Sequence, residues 1–253
     1  MSEPELSLPL LPQKASTFCY LLDIEGTTTP VDFVYKTLFP FAAERVEPYL
    51  RRHVTVPEVV SLLEDLRRAH AAEWTDHPAV GHWLRRTPEE EVVSATKYVR
   101  HLIAQDRKVT PLKTLQGMIW EEGYGSGDLL GEVYEDVPRA FARWRADGKR
   151  IAIFSSGSIL AQKLLFGHST AGDLTKYIEA YFDTTTGPKR EAKSYSAIAE
   201  ALGERSSSVI FVSDVEAELD AAKEAGMQTA LMIRPGAGVT NARHGTIKSF
   251  DEL

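Results

Sequence analysis

Four short apolar runs limit what this chain can fold into: residues 17–22 (TFCYLL), 151–154 (IAIF), 209–212 (VIFV) and 229–233 (TALMI). Each is too short for a free-standing helix, and none alternates polar with apolar residues. Strands covered on both faces of a sheet have that character. Helical patterns lie between them. Val137, Ala140, Phe141 and Trp144 recur at i, i+3, i+4, i+7, and so do Tyr195, Ile198, Ala199 and Leu202. Gly148 stands where the first of these helices would be C-capped. Strand–helix–strand repetition predicts a parallel sheet with helices on both faces.

The interval from about Pro30 to Gly131 has a different texture. It carries helical stripes (Val59, Leu62, Leu63, Leu66; then Val92, Val93, Thr96) and almost nothing strand-like. A helical insertion of that size after the first strand reads as a separate cap domain. The expected division is therefore a core of residues 1–30 and 131–253 and a cap of residues 31–130. The glycine-rich stretch 121–131 (EEGYGSGDLLG) reads equally as the hinge returning to the core or as a plain loop. No internal repeat or low-complexity tract interrupts this plan.

Size and charge narrow the function. With 253 residues, the chain can bury one sizeable core plus a smaller appended domain. A formal net charge of -7 argues against nucleic acid or an anionic membrane as partner, since both demand a cationic face. Cys19 is the only cysteine, so no intrachain disulfide forms and a reducing compartment is expected. Residues 1–14 carry acids and interrupting prolines, unlike a secretory leader or a membrane span. Cytoplasm, or nucleus in a eukaryote, is the expected location, and a monomer the expected state.

Polar clusters follow the predicted strands, at the ends that face the ligand crevice of an open parallel sheet. After the first come Asp23 and Glu25, two carboxylates that repel unless a cation joins them; magnesium suits both oxygen ligands and phosphate substrates. A carboxylate can attack phosphorus to give an acyl phosphate, and Glu25 is placed to protonate the leaving oxygen. After the second strand, Ser155-Ser156-Gly157-Ser158 offers hydroxyls, N–H groups and a helix N-terminus to phosphate oxygens, although such turns are common N-caps as well. Lys189 follows a short strand at Tyr181-Phe182 and would neutralise phosphate, with Arg190 and Lys193 as competitors. Asp214, after the strand 209–212, would complete the metal site. Glu218, one helical turn on, would support it from behind, while Glu216 and Asp220 read as favourable charge at a helix N-terminus.

That ordered set resembles the haloacid dehalogenase superfamily of phosphohydrolases. The segment 23–30 (DIEGTTTP) resembles its enolase-phosphatase branch, as do 155–158 with 161–169 (AQKLLFGHS), 115–117 (LQG), 182–184 (FDT) and 234–236 (RPG). The superfamily commonly has Asp where Glu25 stands. The resemblance implies an α/β fold: a Rossmann-like parallel sheet flanked by helices, with an inserted helical cap domain. It implies a bifunctional enzyme of methionine salvage acting on a small phosphorylated diketone, 2,3-diketo-5-methylthiopentyl-1-phosphate. The diketone would be enolised and then dephosphorylated to the acireductone through an aspartyl-phosphate on Asp23. Magnesium would lie between Asp23, the main-chain carbonyl of Glu25 and Asp214. Ser155, Ser156 and Lys189 would hold the phosphate. No base for the enolisation is identified by the match.

Three rivals share parts of this pattern. A dehalogenase releases a halide that needs no proton, which leaves Glu25 without a task. A phosphatase of another small phosphorylated metabolite would use the same core. A non-catalytic binding protein should lack the nucleophile, lysine or metal acid, and none is missing. His53, His70, His77, His82 and His101, with Trp74, Trp83 and Trp120, are expected to pack the cap or face solvent. His168 lies just beyond the serine loop and is assigned no role.

Overall fold

The computed structural model describes residues 18–73, 81–236 and 242–253. The acidic, proline-interrupted stretch 1–14, the first residue of the run 17–22, Trp74 and His77 lie outside them. The described chain divides into two compact units, one of residues up to Val31 with Leu130–Leu253, the other of Asp32–Leu129.

The first unit is built on a six-stranded parallel sheet. Its strands are β1 (Cys19–Leu22), β2 (Arg150–Phe154), β3 (Ala180–Phe182), β4 (Val209–Ser213), β5 (Gln228–Met232) and β6 (Thr246–Ile247), in the order β3-β2-β1-β4-β5-β6. The apolar runs of the sequence become strands to within a residue or two at either end. β6 was not anticipated: two residues of ladder leave no periodicity to read. Helices α5 (Asp136–Ala146), α6 (Ile159–Gly167), α7 (Ala192–Leu202) and α8 (Glu216–Glu224) make the crossovers. Both helical stripes predicted for this unit are buried, on α5 and α7.

Successive side chains of a strand point to opposite faces. Cys19 and Leu21 of β1 pack with Val209 and Phe211 of β4, with Tyr195 and Ile198 of α7 and with Leu219 of α8. Tyr20 points the other way and stacks on Trp144 of α5, ring centroids 3.8 Å apart. Burial on both faces explains why these strands read as unbroken apolar runs.

The second unit contains α1 (Phe39–His53), α2 (Pro57–Glu73), α3 (Pro88–Ala104) and α4 (Thr110–Ser126), preceded by a π-helical turn over Phe33–Leu38. The start of α3 is encoded locally: Thr87 accepts the Glu90 N–H, Pro88 fills the first turn, and Glu89, Glu90 and Glu91 lie at the positive helix end. α1 packs on α3 and α4. Val59, Leu62, Leu63 and Leu66 are buried as their stripe predicts, with Val92 and Thr96 of α3, while Val93 is half-buried.

The stretch 121–131 corrects both sequence readings over its first half, which is neither hinge nor loop but the last turns of α4. Gly123 is there for packing, since a Cβ at that position would lie 2.3 Å from Cζ of Phe41. Trp120 is buried and donates its indole N–H to the carbonyl of Leu38. His70 is buried with its Nε2 against the Gly81 carbonyl, and His53 bonds the Tyr49 carbonyl, so both are occupied within the unit. Among the described residues no helix is long and apolar enough to cross a membrane.

Candidate active site

Strand register brings the first residues of the site together. Leu22 lies level with Ile153 on one side and Val212 on the other, so the next residue, Asp23, aligns with Phe154 and Ser213. Asp23 and Ser213 continue the rows Cys19–Leu21 and Val209–Phe211 on the same face. The sheet reverses its winding between β1 and β4, which places both at the topological switch point.

Beyond Asp23 the chain winds tightly. The N–H groups of Thr27, Thr28 and Thr29 all point to the Ile24 carbonyl at 2.9–3.1 Å. The Thr28 hydroxyl donates to the Asp23 carbonyl at 3.0 Å. All three threonines are buried, so the turn is held from inside. Glu25 sits half-buried on this turn, its carboxylate 3.4 Å from the Ser155 hydroxyl.

Lys189 is the counter-charge. It is buried, and its Nζ lies 2.6 Å from Asp23 Oδ1 and 2.6 Å from Glu218 Oε2. Burial alone would depress the ammonium pKa, but the two carboxylates outweigh it and raise it. Arg190 and Lys193, its sequence competitors, are exposed. Tyr195 fixes the lysine's backbone by donating its hydroxyl to the Lys189 carbonyl at 2.7 Å.

Ser213, directly before Asp214, carries no assignment from the sequence. Its hydroxyl lies 3.0 Å from Asp23 Oδ2 and 3.2 Å from Glu218 Oε2, and it accepts the Val215 N–H at 3.1 Å. A hydroxyl proton serves one carboxylate at a time, so a proton on Glu218 would let both contacts be hydrogen bonds. Burial and the charge of Asp23 raise the Glu218 pKa in that direction, with Lys189 and Ser213 opposing. Glu216 and Asp220 point elsewhere, to Arg243 and His244.

Asp214 adds a further carboxylate at the end of β4. Its pKa is pushed up to about 6 by burial first and then by the charge of Asp23, with Glu25 adding to the effect. Such crowding of acids is what a divalent cation relieves. Among the described residues no three His, Cys, Asp or Glu side chains are grouped to hold a metal ion. Asp23 and Asp214 are carboxylates that could offer oxygen donors to such an ion. That suits magnesium, which commonly takes one or two carboxylates and fills its shell with water and phosphate oxygens. Gly26 permits the approach: its φ is +70°, and a Cβ there would lie 2.1 Å from Asp214 Oδ2.

The serine loop follows β2. Ser155 is buried, its N–H pointing to the Phe182 carbonyl of β3 and its hydroxyl accepting the Gly157 N–H at 3.1 Å. Ser156 is half-buried, and Ser158 is the N-cap of α6, accepting the Ala161 N–H. The N-cap reading of the 155–158 segment thus holds for Ser158. Two buried side chains that sequence reasoning missed anchor the loop. Asp183 accepts the N–H groups of Ile159 and Thr185, and Gln162 donates to the carbonyls of Gly157 and Phe182 at 2.9 and 2.8 Å. His168 is exposed.

Comparison with known proteins gives a consistent set of relatives. A family model for haloacid dehalogenase-like hydrolases matches residues 19–226. An enolase-phosphatase E1 from Synechococcus elongatus is 52% identical over 244 residues, spanning 96% of this chain and 100% of its own. The enolase-phosphatase E1 of Drosophila simulans is 48% identical over 235 residues, spanning 92% of this chain and 90% of its own. Among solved structures, the UTR4 protein of Saccharomyces cerevisiae superposes with a TM-score of 0.75 at 35% identity, covering 94% of this chain and 100% of that one. A dehalogenase shares the fold, with a TM-score of 0.52 at 16% identity.

Proposed function

The chain belongs to the enolase-phosphatase E1 family of haloacid dehalogenase-like hydrolases, and from that premise we propose how its residues divide the chemistry. The enzyme converts 2,3-diketo-5-methylthiopentyl-1-phosphate to the acireductone 1,2-dihydroxy-3-keto-5-methylthiopentene and phosphate, a step of methionine salvage. The observation that carries the assignment is the placement of Asp23: a buried carboxylate at the switch point, neutralised by Lys189 and oriented by Ser213.

Asp23 attacks phosphorus, forming an acyl phosphate as the bond from phosphorus to the substrate oxygen breaks. Glu25 gives the leaving oxygen its proton, then takes one from the water that hydrolyses the acyl phosphate. Splitting the displacement this way returns both carboxylates to their starting states. Lys189, Ser155 and Ser156 hold the phosphoryl oxygens, the lysine as a charge and the serines as donors. Glu218 and Ser213 keep Lys189 and Asp23 in place from behind. Asp23, Asp214 and the main-chain carbonyl of Glu25 would hold magnesium, which would neutralise phosphate charge and polarise the substrate oxygens. The helical unit, Asp32–Leu129, is assigned the role of cap domain, selecting the methylthio end of the substrate.

The test is to supply the diketo phosphate with and without magnesium, following phosphate release together with the absorbance of the enol. Wild-type protein should give both signals, and Asp23→Asn should stay folded without releasing phosphate. Phosphate release by Asp23→Asn would remove the nucleophile from this scheme. Release without an enol signal would leave a phosphatase of some other small metabolite.

A further inference from the structure

Gln162 is a buried polar side chain to which the phosphatase chemistry gives no task. It lies on α6, beyond the Ser158 N-cap, with about 1% of its surface exposed. Both its amide protons are used, toward the Gly157 carbonyl at 2.9 Å and the Phe182 carbonyl at 2.8 Å. Two carbonyls fix the amide's orientation, because the flipped form would set its oxygen against both. Its own oxygen has no hydrogen-bond partner among the described residues.

An unsatisfied buried acceptor is unfavourable, and a methionine of similar size would fill the same space without one. Packing alone therefore does not explain the amide. Its effect falls on the serine loop. A peptide unit is planar and trans, so turning the Gly157 carbonyl toward Gln162 turns the Ser158 N–H the opposite way. The Phe182 carbonyl, the other acceptor, also receives the Ser155 N–H at 3.2 Å. Gln162 thus ties the Gly157 carbonyl of the loop to α6 and braces the same Phe182 carbonyl that holds the Ser155 N–H at the loop's start. We propose that Gln162 is a positioning residue that holds the 155–158 loop in its anion-binding shape by spending both amide protons on flanking main-chain carbonyls. The inference rests on the reading that this loop grips the phosphoryl group.

The test compares full-length Gln162→Met, Gln162→Asn and Ser155→Ala at saturating magnesium. It measures kcat, KM for the diketo phosphate, Ki for inorganic phosphate and the thermal midpoint. Gln162→Met should raise KM and Ki about tenfold, the effect of roughly one well-made hydrogen bond, with a smaller change in kcat. Gln162→Asn keeps the amide but is one methylene too short to span both carbonyls, so it should move KM and Ki the same way; it carries the test if the methionine variant fails to fold. Ser155→Ala should raise Ki as well. Wild-type KM and Ki in both Gln162 variants, with Ki raised in Ser155→Ala, would overturn the positioning role alone. A wild-type Ki in Ser155→Ala would overturn the phosphate-loop reading itself. A lowered thermal midpoint with unchanged KM and Ki would make Gln162 purely structural.

Discussion

Replacing Asp136 with leucine strands the guanidinium of Arg234 in the core without its counter-charge. Both side chains are about 7% exposed, and Arg234 Nη1 lies 3.0 and 2.9 Å from the two Asp136 oxygens. Asp136 also accepts the Phe250 N–H at 2.7 Å and the Ser249 hydroxyl at 3.1 Å, so these donors lose their partner too. Breaking a buried pair from one side typically costs about 3–5 kcal/mol, because the surviving ion stays desolvated. For a chain of this size each kcal/mol moves the thermal midpoint by about 2–4 °C, giving a drop of roughly 6–20 °C. The double variant Asp136→Leu/Arg234→Met should recover part of this, since neither ion remains. It should not recover all. Arg234 Nε and Nη2 also hold the Thr27 carbonyl at 3.0 and 2.7 Å, and losing those donors from a buried carbonyl leaves a deficit of about 1–3 kcal/mol. Urea denaturation followed by far-UV circular dichroism would measure all three variants against wild type. A single variant costing under about 1 kcal/mol, or a double variant no more stable than the single, would refute the argument that an unpaired buried charge dominates.

Two further outcomes follow from local geometry. Gly26→Ala sets a Cβ 2.1 Å from Asp214 Oδ2 at a φ of +70°, so it should stay folded but need more magnesium for half-maximal activity; an unchanged magnesium titration would remove Asp214 from the metal site. The Cys19 thiol is fully buried and burial pushes its pKa up to about 12, so native protein at pH 8 should not react with Ellman's reagent, whereas unfolded protein should show one thiol. Stoichiometric labelling of native protein would contradict that burial.

How much of this was legible in the sequence depends on how local the cause is. β1, β2 and β4 could be read because burial on both faces leaves an uninterrupted apolar run. The spacing of Glu218 from Asp214 points to support for that carboxylate, whereas its contacts in the fold are Lys189 and Ser213, which the spacing does not show. Asp23, Ser155 and Asp214 stand out because each directly follows a strand, whereas Lys189 lies seven residues beyond β3 and only the fold brings it to Asp23. Gly123 misled, since a glycine-rich stretch normally marks a loop, and the reason for this one is the Phe41 ring far away in sequence.

Ser213 and Gln162 were invisible for a different reason. A serine at a strand end and a glutamine on a helix are chemically ordinary, and each acquires a role only through a partner distant along the chain. Ser213 reaches Asp23 because Val212 pairs with Leu22, a register no local pattern encodes. Gln162 reaches the Phe182 carbonyl because β3 lies beside β2, so its task depends on strand order. The carboxylate, lysine and serine of the proposed chemistry must be particular residue types, and so they mark the sequence. Ser213 and Gln162 need only a hydroxyl or an amide wherever the folded backbone presents the atom to be held. Such supporting groups become recognisable when the register is known, and their substitution tests the assembled site as sharply as substitution of the nucleophile does.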